Sequence, residues 1–196
     1  ALVNGGPSTV EPLVLALREE DEHVRLHVAQ CLERIGPRAK SACAELRALL
    51  DEPRTAPQAA LALGSVQCND ALAALEACSA KERAPELRAA AATALGRLGD
   101  ASAVPTLQRL LDAAEPMDLR QAAAESLLAF GDDARAIALL VEALRSRAAD
   151  QDAAEKTLEA WLKKRADGGD ALATTRLEAW RAAGPAITGI PSVEQV

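Results

Sequence analysis

Three side chains that can bind transition metals recur every four residues near the beginning of the sequence. His23, His27 and Cys31 would share one face of a helix, and imidazole and thiolate are ligands that suit zinc or copper. On a straight helix these positions span about 12 Å at 1.5 Å per residue, so a single ion reaches two of them at most. Cys31 also aligns with the small residues Ala94 and Ser126 of later segments. We therefore expect a packing role for Cys31, with no metal and no other cofactor.

Catalytic motifs are missing from the sequence. It has no GxSxG, no phosphate-binding glycine loop and no HExxH, and its two histidines lie in one short segment. The many carboxylates fall on predicted helix surfaces, where such groups are usually solvated. The sequence therefore predicts a protein without catalytic activity of its own.

Charge and composition restrict the class of partner. The net charge is −7, and the one compact basic run, Lys163-Lys164-Arg165, is too short to neutralise a phosphate backbone. No apolar run approaches the ~18 residues that suggest a membrane span. We expect neither nucleic-acid binding nor a membrane span.

The low aromatic content restricts the core. Because aromatic residues make up only 2% of the chain, its core must consist of small aliphatic side chains, which allow helices to approach closely.

The four cysteines show neither CxxC spacing nor the clustering of a zinc site; they are Cys31, Cys43, Cys68 and Cys78. A helical chain of this size does not need disulfide bonds. We therefore expect four free thiols and a reducing, cytoplasmic compartment. Since the sequence lacks an initiator Met, this expectation leaves open a signal segment upstream.

An internal repeat organises the elements that would position these side chains. The segments HVRLHVAQCLERIG (23–36), ELRAAAATALGRLG (86–99) and DLRQAAAESLLAFG (118–131) share an arginine, a leucine four residues before the end and a final glycine. The junctions between units fall at intervals of 30, 31, 32 and 32 residues, at Gly6, Gly36, Gln67, Gly99 and Gly131. Each unit has two segments with apolar residues at helical spacing, and its glycine ends the second one. The second unit is irregular, because Gln67 replaces the glycine.

The stretch LRAAAATALGRLGDASAVPTLQRLL (87–111) resembles the HEAT repeat, in particular the short bacterial, phycobilisome-lyase-type form. The resemblance covers roughly residues 1–183. It implies an all-α, right-handed α-solenoid of about five stacked antiparallel helix pairs, with the second helices lining the concave side. Each repeat then buries its apolar face only against its neighbours.

The junctions predict the division of the chain. We expect the end of a preceding repeat at 1–6, hence an excerpt from a longer array, followed by an array over 7–183 and an extended tail over 184–196. The array would consist of units 7–36, 37–67, 68–99, 100–131 and 132–168 and a final helix at 169–183. Trp161 and Trp180, each in an LEAW sequence, are expected to cap the end of the stack, with partner binding as the alternative.

One arginine position repeats eleven residues before the junction and is occupied by Arg25, Arg88 and Arg120. In HEAT-like families such an arginine commonly bonds acidic groups or carbonyls of the adjacent repeat. The resemblance therefore implies a structural ladder between repeats. The second and fifth units have Ala56 and Asp152 at this position, which predicts weaker coupling there.

The concave side is the candidate binding face. Its predicted positions vary in polarity, whereas the buried positions stay aliphatic; they are Leu26, Gln30, Arg34, Thr93, Arg97, Gln121 and Glu125. Unconstrained solvent positions would vary in the same way. We expect a non-enzymatic bacterial adaptor that holds a protein or peptide partner along this face. The alternative is an accessory or lyase-type subunit of an enzyme whose chemistry lies on another chain or domain.

Overall fold

The computed structural model describes residues 10–131, 136, 137, 139, 140 and 151–168. Expectations for residues 1–6, for Trp180, for the final helix at 169–183 and for the tail at 184–196 fall outside the described residues, as does the side chain of Asp152. The described chain is helical and contains no β-strand. This confirms the all-α fold class.

Short and long helices alternate along the chain. The first helices of successive pairs have six or seven residues each: α1 (Val10–Ala16), α3 (Cys43–Ala48), α5 (Leu72–Cys78) and α7 (Val104–Arg109). The second helices have 11 or 14 residues each: α2 (Glu22–Ile35), α4 (Ala56–Val66), α6 (Pro85–Leu98) and α8 (Met117–Phe130). A further helix, α9, covers Gln151–Asp167. Three of the first helices follow a 3₁₀ segment: Gly36–Ala42, Asn69–Ala71 and Ala101–Ala103.

Local sequence signals set the ends of the second helices. The Asp21 carboxylate accepts a hydrogen bond from the backbone N–H of His23 at 2.8 Å and so caps α2. Pro85 occupies the first turn of α6, where its missing N–H costs nothing. At the other end of α6, Gly99 adopts φ 70° and ψ 17°, the left-handed conformation that stops a helix. Gly36 and Gly131, which follow α2 and α8, also have positive φ, as expected for glycines that end helices.

The irregular junction at Gln67 keeps the same backbone turn without a glycine. Gln67 has φ 64° and ψ 50°, and within the described residues it is the one non-glycine residue with positive φ. Its side-chain amide donates to the carbonyl oxygens of Gly64 at 3.1 Å and of Arg97 at 2.5 Å. These bonds offset the cost of about 1 kcal/mol or more that a Cβ incurs in this conformation.

Residues 10–107 form one compact unit, whose core is a repeated set of small and medium aliphatic side chains. Two positions of each repeat are completely buried here. One is the leucine four residues before the junction: Leu32, Leu63 and Leu95. The other is the alanine three residues before that leucine: Ala29, Ala60 and Ala92. Helix α4 packs against α2 on one side and α6 on the other. The alanines leave room for these helix backbones to approach closely.

Helices α4 and α6 approach each other closely at Gly64 of α4. A Cβ placed on Gly64 would lie 2.7 Å from the Cα of Ala94 and 2.8 Å from its carbonyl oxygen. Such distances are shorter than any ordinary carbon contact. Glycine at this position is therefore required by the packing of α4 on α6.

The second compact unit begins at Gln108. In it α8 packs against α9, and the buried side chains include Leu119, Leu127, Leu140 and Leu158. Trp161 of α9 is 8% exposed, so its indole belongs to the packed interior, whereas Lys163 and Lys164 are exposed.

The cysteines differ from the expectation of four free thiols. Cys43 and Cys68 form a disulfide with their Cα atoms 5.7 Å apart, and Cys31 and Cys78 are free. The sequence prediction was wrong for this pair because the two residues are brought together by the packing of neighbouring repeats, which their spacing does not reveal. The disulfide also removes the ground on which a reducing compartment was expected.

Among the described helices none is both long enough and apolar enough to cross a lipid bilayer.

Candidate partner-binding face

The second helices α2, α4 and α6 all belong to the first compact unit, residues 10–107, and share an outward surface. We call this surface the second-helix face. It consists of the solvent-facing residues of α2, α4 and α6 around one polar network: Leu26, Gln30, Glu33, Arg34, Gln58, Leu61, Ser65, Thr93 and Arg97. On α2 these residues recur at intervals of three and four, as one helix face requires. None of them is fully buried.

An arginine brace crosses this face. Nη1 of Arg97 donates to Oε1 of Glu33 at 2.6 Å and to Oγ of Ser65 at 2.9 Å, and thereby links α6 to α2 over the intervening α4. The carbonyl oxygen of Leu61 lies 3.4 Å from the same nitrogen. The three braced residues occur at intervals of 32, at 33, 65 and 97. The brace therefore links three successive second helices at the surface, in addition to their packing.

Both oxygens of the Glu33 carboxylate accept hydrogen bonds. Oε2 accepts a hydrogen bond from Nε2 of Gln58 at 2.6 Å, while Oε1 accepts from Arg97. The Glu33 side chain is 23% exposed and that of Arg97 is 39% exposed, so the ion pair lies at the surface. Arg97 was expected to be an exposed residue of the binding face. It is exposed, and its guanidinium also pairs with Glu33 of the same chain.

The other predicted residues of the first unit differ in availability. Gln30 and Arg34 are exposed, and Leu26 and Thr93 are half-buried. The Thr93 hydroxyl donates to the carbonyl oxygen of Ala89 in its own helix at 3.1 Å. Within the part of the chain that the structure describes, Arg34 has no ion-pair partner. The guanidinium of Arg34 is therefore available to bind an acidic group of a partner.

Gln121 and Glu125, two further residues of the candidate binding face, lie in the second compact unit, and neither is fully exposed. Gln121 is 4% exposed, and its Nε2 donates to Oε1 of Glu125 at 2.8 Å, one helical turn further along α8. Glu125 is half-buried. Because it is buried, Gln121 offers almost no surface to a partner.

The repeated arginines hold the two helices of a pair together. Nε of Arg88 lies 3.2 Å from the carbonyl oxygen of Ser79, and Nε of Arg120 lies 3.4 Å from that of Leu111. In both cases the acceptor follows the first helix of the same repeat. A charged donor satisfies carbonyls that the end of a helix leaves without a partner.

Arg25 extends this arrangement into the next repeat. Its Nη1 donates to the carbonyl oxygens of Glu19 and Glu20 at 2.6 and 2.9 Å, and its Nη2 and Nε donate to Oε2 of Glu52 at 2.8 and 3.1 Å. The hydroxyl of Thr55 donates to the same carboxylate oxygen at 3.1 Å. Arg25 thus couples the first repeat to the loop that precedes α4.

An open hollow of about 480 Å³ lies beside the Arg25–Glu52 pair. Two ion pairs line it, because Arg18 also pairs with Glu45 at 2.6 Å, and Glu19 and Glu20 add two further carboxylates. The hydrogen bond from Arg18 holds the pKa of Glu45 below its usual range, against the opposing effect of burial. The hollow therefore lies at a structural junction between repeats.

The histidines at the start of α2 make local contacts. Nδ1 of His27 lies 2.7 Å from the carbonyl oxygen of His23. Both rings are exposed, whereas Cys31 is half-buried. Over the described ranges, no three His, Cys, Asp or Glu side chains come together in a way that could hold a metal ion.

Comparison with protein families agrees with this arrangement of helix pairs. The family model for HEAT repeats matches residues 10–91 and 79–160. The chain belongs to the HEAT-repeat family. No match was found among curated proteins. HEAT repeats commonly act as scaffolds for protein interaction and are typically non-enzymatic, and the helical repeats of this chain form an all-α solenoid of that family.

Sequence reasoning missed Glu33, Gln58 and Ser65 as members of the second-helix face. The signal was present, because Glu33, Ser65 and Arg97 follow the repeat period of 32. Opposite charges two HEAT repeats apart, with a small polar residue between them, indicate a brace over the middle helix.

Proposed function

We propose that this HEAT-repeat chain is a non-enzymatic adaptor that binds a protein or peptide partner along the second-helix face. The observation that carries the proposal is the brace of Arg97 across α4 to Glu33, which holds three helices as one prearranged surface. A surface that is already ordered loses little conformational entropy when a partner binds.

The chemistry of the face favours an extended polypeptide over a small molecule. Leu26 and Leu61 offer modest apolar area, and Gln30 and Thr93 offer hydrogen-bonding groups between them. The hollow beside Arg25 and Glu52 is lined by other residues, outside this face. Affinity would therefore come from contacts summed over several repeats, as is usual for solenoids.

Arg34 is the residue to test first. It is exposed and lies on α2 next to the braced Glu33. We expect Arg34→Glu to weaken partner binding by about tenfold or more while leaving the fold intact. Arg97 is unsuitable for this purpose, since its replacement would also release the brace.

The experiment compares the chain with its Arg34→Glu and Arg109→Glu variants as baits in a source lysate. Arg109 is exposed at the end of α7. Arg109→Glu is therefore a matched control, since it makes the same change of charge on a first helix. Proteins retained by the parent and the Arg109 variant but lost by the Arg34 variant would then be titrated individually. Circular dichroism confirms that each bait is folded.

Equal retention by all three baits would contradict the proposal and place the binding surface elsewhere. A retained complex that weakens steeply with salt and disappears after nuclease treatment would indicate nucleic acid rather than a protein partner.

A further inference from the structure

The Cys43–Cys68 disulfide joins two successive first helices at their N-terminal ends. Cys43 is the first residue of α3, and Cys68 directly precedes the 3₁₀ segment Asn69–Ala71 that leads into α5. One turn further along α3, Nη1 of Arg47 donates to Oδ2 of Asp70 at 2.9 Å. The covalent bond therefore fixes the first-helix side of the interface between the second and third repeats.

This interface lacks the arginine that couples the first two repeats. There, Arg25 reaches forward to Glu52, and its side chain is only 15% exposed. The equivalent residue of the second repeat is Ala56, which is the first residue of α4 and is buried. A methyl group can make no such contact. The disulfide occurs at the interface where the arginine is absent.

The remaining ion pairs on this side are weak substitutes. The side chains of Arg47 and Asp70 are 43% and 62% exposed, and those of Arg83 and Asp51, 3.7 Å apart, are 42% and 86% exposed. Exposed pairs of this kind contribute little to stability. The second-helix side is different, because α4 and α6 pack closely at Gly64 and Ala94. Loss of the disulfide would therefore loosen one side of the interface only.

We propose that the Cys43–Cys68 disulfide is a redox-controlled clamp that takes the place of the missing arginine and fixes the first helices of the second and third repeats to one another. Its reduction loosens α3 and α5 relative to one another, while each stays on the second helix of its own repeat and α4 and α6 remain packed. The second-helix face survives reduction, so the clamp is independent of the proposed binding function.

The two cysteines differ in access to a reductant. Cys68 is 2% exposed, whereas Cys43 is partly exposed. A thiolate of an external dithiol attacks the Cys43 sulfur, the S–S bond breaks, and Cys68 leaves as a thiolate that takes up a proton. The second thiolate of the reductant then attacks the other sulfur of the reductant, the one joined to Cys43. Cys43 leaves as a thiolate and takes up a proton. Two electrons pass from the dithiol to the protein, and the dithiol leaves as a cyclic disulfide.

The test is hydrogen exchange of the whole chain, measured by mass spectrometry with and without dithiothreitol. On reduction we expect exchange in α3 and in residues 69–78 to accelerate on the order of 30-fold or more, the lower end of what a disulfide contributes. Exchange in the interior of α6 should change less than about threefold. Reoxidation should restore the original rates.

Variants separate the clamp from other effects of the reductant. The Cys43→Ser/Cys68→Ser protein should exchange like the reduced parent and should not respond to dithiothreitol. Cys31→Ser, at a free and half-buried cysteine, should behave like the parent in both conditions. Arg47→Ala should have a smaller effect than reduction.

Two results would overturn the proposal. One is alkylation of Cys43 and Cys68 in the unfolded, unreduced protein, because it would show that no disulfide forms. The other is an exchange pattern in α3 and residues 69–78 that stays unchanged on reduction, or that accelerates equally in α6. Both are measured on the parent chain, so they do not depend on whether the variants fold.

Discussion

Arg97 and Glu33 are 64 residues apart in sequence, and their side chains meet at 2.6 Å above the helix that separates them. The contact passes over Ser65, so that one arginine touches all three second helices of the first unit. Because each HEAT repeat contacts its immediate neighbours, most of its interactions join adjacent units. This pair joins the first and third repeats directly, and it therefore adds stiffness that nearest-neighbour packing does not supply.

A double-mutant cycle measures that contribution. We expect Arg97→Ala and Glu33→Ala each to destabilise the protein, with a coupling energy of about 0.5–1 kcal/mol, because both side chains are partly exposed and solvent screens the pair. High salt should reduce the coupling. Urea unfolding of the four proteins gives the value. Arg34→Ala serves as the control and should change stability by less than about 0.5 kcal/mol; a coupling energy of zero would remove the brace as a stabilising element.

The features that the sequence predicted correctly depend on the local chain. The leucine and alanine positions repeat with the helix period, and Leu32, Leu63 and Leu95 are buried at the positions that the alignment gives. Gly99 ends α6 through its own left-handed backbone conformation, which does not depend on contacts with distant residues. Periodicity and backbone conformation are properties of short segments, and a single sequence reveals them.

The features that the sequence did not predict depend on non-local packing. Cys43 and Cys68 lie 25 residues apart, less than one repeat, so no shared repeat position relates them. The pairing of Arg97 with Glu33 was missed because helix geometry alone cannot show which side chain of another repeat reaches across to an exposed arginine. Gln121 has a polar side chain, yet it is 4% exposed. Burial and pairing are decided by the stacking of helices, and the repeat pattern specifies that stacking only approximately.

Replacing Gly64 by alanine should strongly destabilise the protein, although alanine favours helices over glycine by about 1 kcal/mol. The new Cβ would meet the Cα and the carbonyl oxygen of Ala94 at 2.7 and 2.8 Å, and a backbone cannot give way as a side chain can. We expect a loss of about 2–3 kcal/mol in the free energy of unfolding. Adding Ala94→Gly removes only a Cβ and should restore little of it. A neutral or stabilising effect of Gly64→Ala would show that α4 and α6 are further apart than described.

At Gln67, glycine and alanine should have different effects. Gln67→Gly relieves the left-handed backbone but loses the side-chain bonds to the Gly64 and Arg97 carbonyls, so stability should change little. Gln67→Ala loses the same bonds and keeps the cost of a Cβ at φ 64°. We therefore expect the alanine variant to be less stable than the glycine variant by about 1 kcal/mol. Thermal unfolding of the three proteins tests this order, and equal stability of the two variants would show that the backbone conformation at 67 is not left-handed.

The Arg18–Glu45 pair should make stability depend on pH in the acid range. The hydrogen bond from Arg18 lowers the pKa of Glu45 in the folded protein, so the carboxylate binds protons less readily there than in the unfolded chain. Its contribution is present above the ordinary glutamate pKa of about 4.3 and is lost as the pH falls through the lower folded pKa. Glu45→Gln should therefore be less stable than the parent at neutral pH, and the difference should vanish in acid. Carboxyl NMR of Glu45 provides a direct check, since Arg18→Ala should move its pKa upward, and an unchanged titration in that variant would contradict the assigned cause.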